Sequence, residues 1–266
     1  GGAVLRMLHN YVGDEAFFKS LNKYLTDFKF KNVELSDLRK TFEEVTGEDL
    51  NWFFTQWWLE KGHPILDITH KYDEKNKKIE LTVRQTQTDN EGPTFRIPTK
   101  IDIYINGKKE TKNIVVDDRV KTFYFPAASA PQLVNFDADK VLLCEKMEDL
   151  SDAENIFKFN NAVLVKDKLE VLDALSFKQK NTAVQNLFMK ALQDKSWYVR
   201  SEAVDAIDID RFSNKAQLSL ALQNIINTDA ISEVREGAVS RIARLEKDKS
   251  VAIFENVINK DSSYKT

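Results

Sequence analysis

Thiol is almost missing from this sequence: Cys144 is the single cysteine in 266 residues, so no intrachain disulfide can brace the fold and the redox compartment stays open. Glycine and proline are scarce, at 8 and 5, which leaves no composition for long flexible linkers. No apolar run approaches the roughly 20 residues that span a bilayer. An excess of one charge is lacking too, since 39 Lys and Arg face 42 Asp and Glu, and a net charge of -3 selects neither a nucleic acid nor an acidic membrane surface as partner. The chain opens Gly1-Gly2-Ala3-Val4-Leu5-Arg6, without a signal-peptide pattern or an initiating methionine. The expectation is a processed chain or a piece of something longer, with localisation open between cytoplasmic and extracytoplasmic.

Chemistry-bearing motifs are equally sparse. The three histidines, His9, His63 and His70, do not have the two-His spacing of a zinc helix, and His-Glu-x-x-His does not occur. Neither a Gly-rich phosphate loop nor a Gly-x-Ser-x-Gly elbow is present. Cys144 has no histidine nearby in sequence to activate it and is expected to be a buried small side chain. Glu43-Glu44 and Glu48-Asp49 are carboxylate pairs, but adjacent residues on a helix diverge by about 100° and do not face one substrate. His63, between Gly62 and Pro64, is expected to bond a nearby backbone group, with pH sensing or contact with a substrate in a cleft as the sharper alternatives. Aromatic clusters without interleaved basic residues argue against a nucleic-acid platform.

What the sequence does have is apolar and aromatic residues, 42% and 11%, the proportions of a folded globular protein. They concentrate in residues 42–64, where Trp52, Trp57 and Trp58 fall beside Phe53 and Phe54. Gly47 can close one helix in a left-handed cap and Asp49 can open the next, which Gly62 and Pro64 then stop. A helix over 49–61 with so many large apolar residues covers more than half of its wheel, so it is expected to be buried on two sides. Upstream, Val4, Leu5, Leu8, Tyr11 and Val12 mark a first helix, ended at Gly13. Asp14 is read as the cap of a second carrying Phe17, Phe18, Leu21, Tyr24, Leu25 and Phe28. Leu35, Leu38, Phe42 and Val45 mark a third, starting near Ser36 or Asp37.

After Pro64 the period changes to two. Seven short strands are expected at 66–72, 79–83, 101–105, 114–116, 120–125, 133–136 and 141–144, with Asn106-Gly107 as a two-residue hairpin turn. That density suggests an antiparallel β-sandwich over 63–148. From residue 149 to 266 the period is helical again, and the chain nearly repeats itself. Val199-Arg200-Ser201-Glu202-Ala203-Val204 matches Val234-Arg235-Glu236-Gly237-Ala238-Val239, with Ile207 matching Ile242; 168–175 is a weaker copy. A repeat of this period with a recurrent Arg and a small Ala resembles HEAT-type helix pairs, the Arg tying one repeat to the next.

One further resemblance covers residues 1 to about 68. Gly1-Gly2-Ala3-Val4-Leu5-Arg6-Met7-Leu8, Gly13-Asp14-Glu15-Ala16-Phe17, Tyr24-Leu25, Phe30-Lys31-Asn32, Gly47-Glu48-Asp49-Leu50, Phe53-Phe54, Trp57 and Gly62-His63-Pro64-Ile65-Leu66 follow, in order, the tail of the catalytic domain in gluzincin aminopeptidases. The resemblance implies a multidomain α and β chain: a helical tail of a thermolysin-like catalytic domain over 1–62, the sandwich, and a HEAT-like α-helical domain.

It also implies that the single zinc, its His-Glu-x-x-His ligands, the Glu that activates zinc-bound water and the Tyr of a Tyr-x-Lys-Gly segment belong to the remainder of a longer parent. Gly1 matches the Gly closing that last segment, so Gly1 and Gly2 would touch the site by backbone alone. No catalytic, substrate-binding or metal-ligating residue carries over onto this chain. The partners implied are the missing catalytic half of the same polypeptide and, for the parent, a peptide substrate. The rival reading is a non-enzymatic scaffold whose sandwich and helical arm bind a protein partner.

Overall fold

The computed structural model describes residues 1–246 and Glu255; the rest of the helical region expected beyond residue 246 lies outside the described residues. Between Asp149 and Leu150 the chain divides into two compact units. Among the described residues it holds ten α-helices and seven strands, so the chain is mixed α and β.

The first unit begins with α1 (Gly2–Val12), α2 (Asp14–Asp27) and α3 (Leu35–Thr46). Val4, Met7 and Leu8 of α1 recur at spacings of three and four and are the face that α1 buries. Gly13, not Asp14, holds the cap position of α2, at φ 84°; the Asp14 carboxylate is instead 2.6 Å from His9 Nε2. Glu34 and Asp37 cap α3 reciprocally, each side chain bonding the backbone N–H at the other's end of the first turn. Gly47 ends α3 in the left-handed conformation that its sequence position predicts, at φ 72°.

The helix expected over 49–61 is interrupted. It runs as α4 (Asn51–Phe54) and then widens into a π-helical turn (Thr55–Leu59), closed by a bond from the Glu60 N–H to the Thr55 carbonyl at 2.9 Å. Asp49 accepts from the Asn51 N–H at 2.8 Å, just ahead of the helix. Across this segment Trp58 stacks on Phe54 at 4.7 Å while Trp57 meets Phe95 at 5.3 Å. Leu59 falls outside the buried set, at 71% exposed.

The strands form two sheets. β1 (Ile65–Asp73), β2 (Lys78–Gln85), β5 (Val120–Pro126) and β7 (Glu145–Glu148) make one in the order β5-β2-β1-β7; β3 (Ile97–Ile105), β4 (Lys108–Val116) and β6 (Leu133–Phe136) make the other in the order β4-β3-β6. Ile79, Leu81 and Val83 of the first sheet and Ile97, Ile101, Ile103 and Phe136 of the second are all nearly fully buried, in the period-two pattern of strands. The Asn106-Gly107 turn has both residues at positive φ, 50° and 73°, and joins Ile105 directly to Lys108. Its second strand therefore starts at Lys108, six residues before the apolar stretch at Ile114 that marks it in the sequence.

Two expectations fail at the end of this unit. Residues 141–144 are not a strand, because their backbone is used elsewhere: the Val141 and Leu142 N–H groups donate to the Asp137 carboxylate at 3.1 and 3.2 Å. The strand starts at Glu145 and pairs with β1 in parallel, so the sheet that holds β1 is mixed rather than purely antiparallel. Val4, Leu8, Phe42 and Phe53 of the helices share a single hydrophobic cluster with Leu81, Ile101 and Phe136 of the strands. The helical segment and the sheets thus have one core, continuous across residue 62.

The second unit contains α5 (Asp152–Asn161), α6 (Val165–Leu175), α7 (Thr182–Ala191), α8 (Trp197–Ala206), α9 (Lys215–Thr228) and α10 (Ser232–Glu246). Its near-repeat is visible in the bonding. Arg200 donates to the carbonyl of Asp194 at 2.8 Å, and Arg235 to the carbonyl of Asp229 at 2.9 Å; the Asp194 and Asp229 carboxylates each accept the N–H two residues on, from Ser196 and Ile231. Arg200 also forks onto the Asp229 carboxylate at 2.6 and 2.8 Å, and Lys168 bonds Asp194, so a cation of one copy holds the acid of the next. Val199, Ala203, Val234 and Ala238 are completely buried. Burial raises the Asp229 carboxyl, but the Arg200 fork outweighs it and holds the group below its ordinary value.

Two substitutions test these joints. A Cβ on Gly62, whose φ is +80°, would lie 1.8 Å from the Glu91 carbonyl oxygen. Gly62→Ala is expected to cost about 2–4 kcal/mol, from a left-handed residue and an overpacked contact. Gly47→Ala, where a Cβ meets nothing within 4 Å, should cost about 1 kcal/mol. Urea midpoints in the opposite order would contradict this account.

Arg200→Ala leaves a buried carboxylate uncompensated and should cost the second unit about 3 kcal/mol at neutral pH. Because the folded Asp229 value is depressed, its stabilisation is complete above the unfolded carboxylate range and is lost as pH falls through the folded value. The difference between wild type and Arg200→Ala should therefore shrink in acid; a difference independent of pH would be inconsistent with the fork.

Candidate functional site

The residues singled out in the sequence are not brought together. Gly1 and Gly2 are exposed at the start of α1, and a Cβ on either would meet nothing within 4 Å. His9 lies on α1, stacked on Phe17 at 4.3 Å; His70 lies on β1. His63 precedes β1 and is 2.8 Å from the Glu145 carboxylate, not bonded to backbone as its place in a turn suggests. The parallel pairing of Ile65 with Glu145 brings that carboxylate to it, and this register was not legible in the sequence. Cys144, half-buried, packs at the edge of the first unit's core. Among the described residues, no group of three or more His, Cys, Asp or Glu is placed to hold a metal ion.

The carboxylate pairs have separate structural tasks. Glu43 takes Arg39 through both oxygens at 2.8 Å and also accepts the Leu50 N–H at 3.0 Å, fixing α3 to the start of α4. Glu44 is 3.2 Å from Lys23 on α2. Glu48 accepts the Tyr11 hydroxyl at 3.1 Å while Asp49 turns to Asn51. Burial first, and then the neighbouring Glu48 carboxylate, push the Tyr11 phenol above its ordinary value.

The strongest convergence of side chains is the aromatic junction itself. Trp52 meets Tyr11 of α1 at 5.5 Å on one side and lies under the Arg96 guanidinium at 4.3 Å on the other. Gln56 bonds the Arg96 backbone twice, accepting its N–H at 2.6 Å and donating to its carbonyl at 3.0 Å. From within the sheets, buried Gln85 does the same for Phe95, at 2.8 and 2.7 Å, and Gln87 donates to the Pro93 carbonyl at 2.8 Å. Three glutamines thus pin the segment before β3 against the π-helical turn. Gln85 ends β2 at a position of its buried alternation where an apolar residue is expected, and Gln87 follows two residues beyond the strand; nothing else local marks either for this task.

Beside the junction lies a cleft of about 320 Å³ between α1, the π-helical turn, the β3–β4 hairpin and residues 141–142. Its walls include Phe53, Trp57, Ile97 and Ile114, with Thr99 among them. The Thr99 hydroxyl is buried without a hydrogen-bond partner.

Residues 1–57 match the model of the Peptidase family M1 domain. Over 224 residues the chain is 26% identical to an aminopeptidase N of Haemophilus influenzae, an alignment covering 66% of this chain and 25% of that protein. It is 29% identical over 113 residues to a probable aminopeptidase 1 of Sulfurisphaera tokodaii, covering 42% of this chain and 14% of the relative. It is 32% identical over 120 residues to a tricorn protease-interacting factor F2 of Thermoplasma volcanium, covering 45% and 15%. The fold is that of a crystal structure of Legionella pneumophila aminopeptidase A in complex with aspartic acid, with a TM-score of 0.74 at 16% identity over 98% of this chain and 37% of that one.

Residues 1–57 are thus similar to the M1 domain, the family of the gluzincin aminopeptidases that these residues resemble, and the chain spans about a quarter or less of the relatives it aligns with.

Proposed function

We propose that this chain is the C-terminal portion of a zinc-dependent aminopeptidase that removes N-terminal residues from peptides, and that the portion itself is architectural. The carrying observation is that the M1 match over residues 1–57 ends inside the aromatic junction, whose rings and glutamine clamps join it to the sheets. A catalytic domain continued through this junction has its final helices set by the sheets behind them. On this reading residues 1–62 are the tail of a thermolysin-like catalytic domain, 63–148 a β-sandwich, and 149–266 a HEAT-like domain that walls the substrate cavity and limits which peptides enter. The shared core of the two sheets supports the sandwich, and the Arg–Asp ties at one repeat spacing support the HEAT-like assignment.

The residues present do not fit the zinc of such an enzyme: the three histidines stand on α1, before β1 and on β1, each engaged with different surroundings. The metal and the groups that activate water on it are assigned to the remaining catalytic half of the parent, which is the partner this chain requires. No step of peptide hydrolysis is derived from residues of this chain.

The isolated chain should therefore hold no stoichiometric zinc by elemental analysis and should release no chromophore from aminoacyl-anilides. Chelator-sensitive cleavage by a zinc-loaded isolated chain would overturn the assignment. The coding sequence preceding Gly1 provides the positive arm: Tyr-x-Lys immediately before Gly1 and His-Glu-x-x-His further back are expected. Translation starting at Gly1 would contradict the proposal.

A further inference from the structure

We propose that the tip of the β3–β4 hairpin is a self-modification site, at which Asn106 deamidates through a succinimide formed with Gly107, and that Gln132 restrains the reaction. The site is independent of peptide hydrolysis and stands whether or not the zinc assignment does.

Asn106 is the only asparagine of the chain that is followed by glycine. The chemistry needs a side-chain amide next to a backbone nitrogen, and glycine is the following residue that shields this nitrogen least. The fold leaves it open as well. Asn106, Gly107 and residues 108–110 are exposed, and a Cβ on Gly107 would meet nothing within 4 Å. β4 is the edge of its sheet, so among the described residues no strand pairs with its outer side.

Once the Gly107 N–H has given its proton to solvent hydroxide, the nitrogen attacks Asn106 Cγ. The N–Cγ bond forms, the Cγ–Nδ2 bond breaks, and ammonia leaves with a proton taken from water. Water then opens the ring at one of its two carbonyls. Cleavage at Cγ gives aspartate; cleavage at the main-chain carbonyl carbon gives isoaspartate. One water is consumed and one ammonia released, with no oxidant or reductant. Either product adds a negative charge. Isoaspartate also adds a backbone atom to a two-residue turn that joins Ile105 directly to its partner Lys108 and has no slack for it.

Gln132 stands in the way of the first step. Its side-chain carbonyl accepts the Gly107 N–H at 2.6 Å, which occupies the nitrogen that must attack. Gln132 is itself placed by its own N–H, which donates to the Tyr104 carbonyl at 2.7 Å just ahead of β6. Attack further requires rotation about the Asn106 Cα–C bond, which breaks the Gln132 bond and takes the tip out of its left-handed turn, at φ 50° and 73°. The reaction therefore proceeds through the fraction of molecules in which the tip is open. Losing one hydrogen bond of ordinary strength raises that fraction about three- to tenfold.

The test incubates the 266-residue chain in mildly alkaline buffer and follows conversion at each asparagine by peptide mapping with mass spectrometry, with isoaspartate counted by enzymatic methyl transfer. Conversion is expected at Asn106 ahead of every other asparagine. Gln132→Ala and Gln132→Leu, which remove the acceptor at an exposed position, should each speed it about three- to tenfold. Gln132→Glu keeps an acceptor there and should stay near the wild-type rate. In urea that unfolds the chain, wild type and all three variants should convert at one rate, because the bond exists only in the fold. Unchanged conversion at the remaining asparagines reports that each variant is folded. Absence of conversion at Asn106 in the folded wild type and in both acceptor-free variants overturns the site. Acceptor-free variants no faster than wild type overturn the role of Gln132, as does Gln132→Glu converting as fast as Gln132→Ala.

Discussion

The constraint on which the first unit depends is the lodging of five large rings, Trp52, Phe53, Phe54, Trp57 and Trp58, between helices and sheets. Aromatic side chains bury more area than any others, and their burial here is shared between two partners: Tyr11 of α1 on one side, Phe95 and Arg96 on the other. Within the π-helical turn at Thr55–Leu59, Trp58 stacks back on Phe54 while Trp57 meets Phe95. The backbone is then fixed by glutamines from both sides, and Gly62 allows the chain to pass against Glu91 where any side chain would collide. The conformational freedom of this segment has been removed by side chains that have no chemistry of their own.

Much of this was legible in the sequence, for identifiable reasons. The cap at Gly47, the turn at Asn106-Gly107 and the alternation of Ile79, Leu81 and Val83 rest on local stereochemistry, and each is present. What was not legible depends on distant partners. The strand expected at 141–144 looks apolar enough, but the Asp137 carboxylate takes its N–H groups, and only the next four residues are free to pair. His63 meets a carboxylate 82 positions away that no local rule supplies. Thr99 reads as an ordinary strand residue, and its unmet hydroxyl emerges only from the surroundings.

In the second unit the sequence carried more than its Val-Arg repeat disclosed. Asp194 and Asp229 lie at the same offset as Arg200 and Arg235, and each acid accepts the N–H two residues on while its carbonyl accepts the Arg six residues on. The acids were the missing half of the repeat signal. Buried pairs of this kind add little net stability over apolar packing, but they penalise any register that separates them. Such a device suits a helical wall whose spacing must hold, as the proposed part in limiting substrate access requires.

The central claim is that residues 1–149 behave as one cooperative unit, joined through the aromatic junction rather than divided at residue 62. Native-state hydrogen exchange tests it most directly, by comparing the amides of Leu8 and Phe42 in the helices with those of Leu81 and Ile101 in the strands. One shared opening free energy, with one dependence on denaturant, is the predicted result. Helical amides that exchange through a separate, lower-energy opening while the strands stay protected would contradict it.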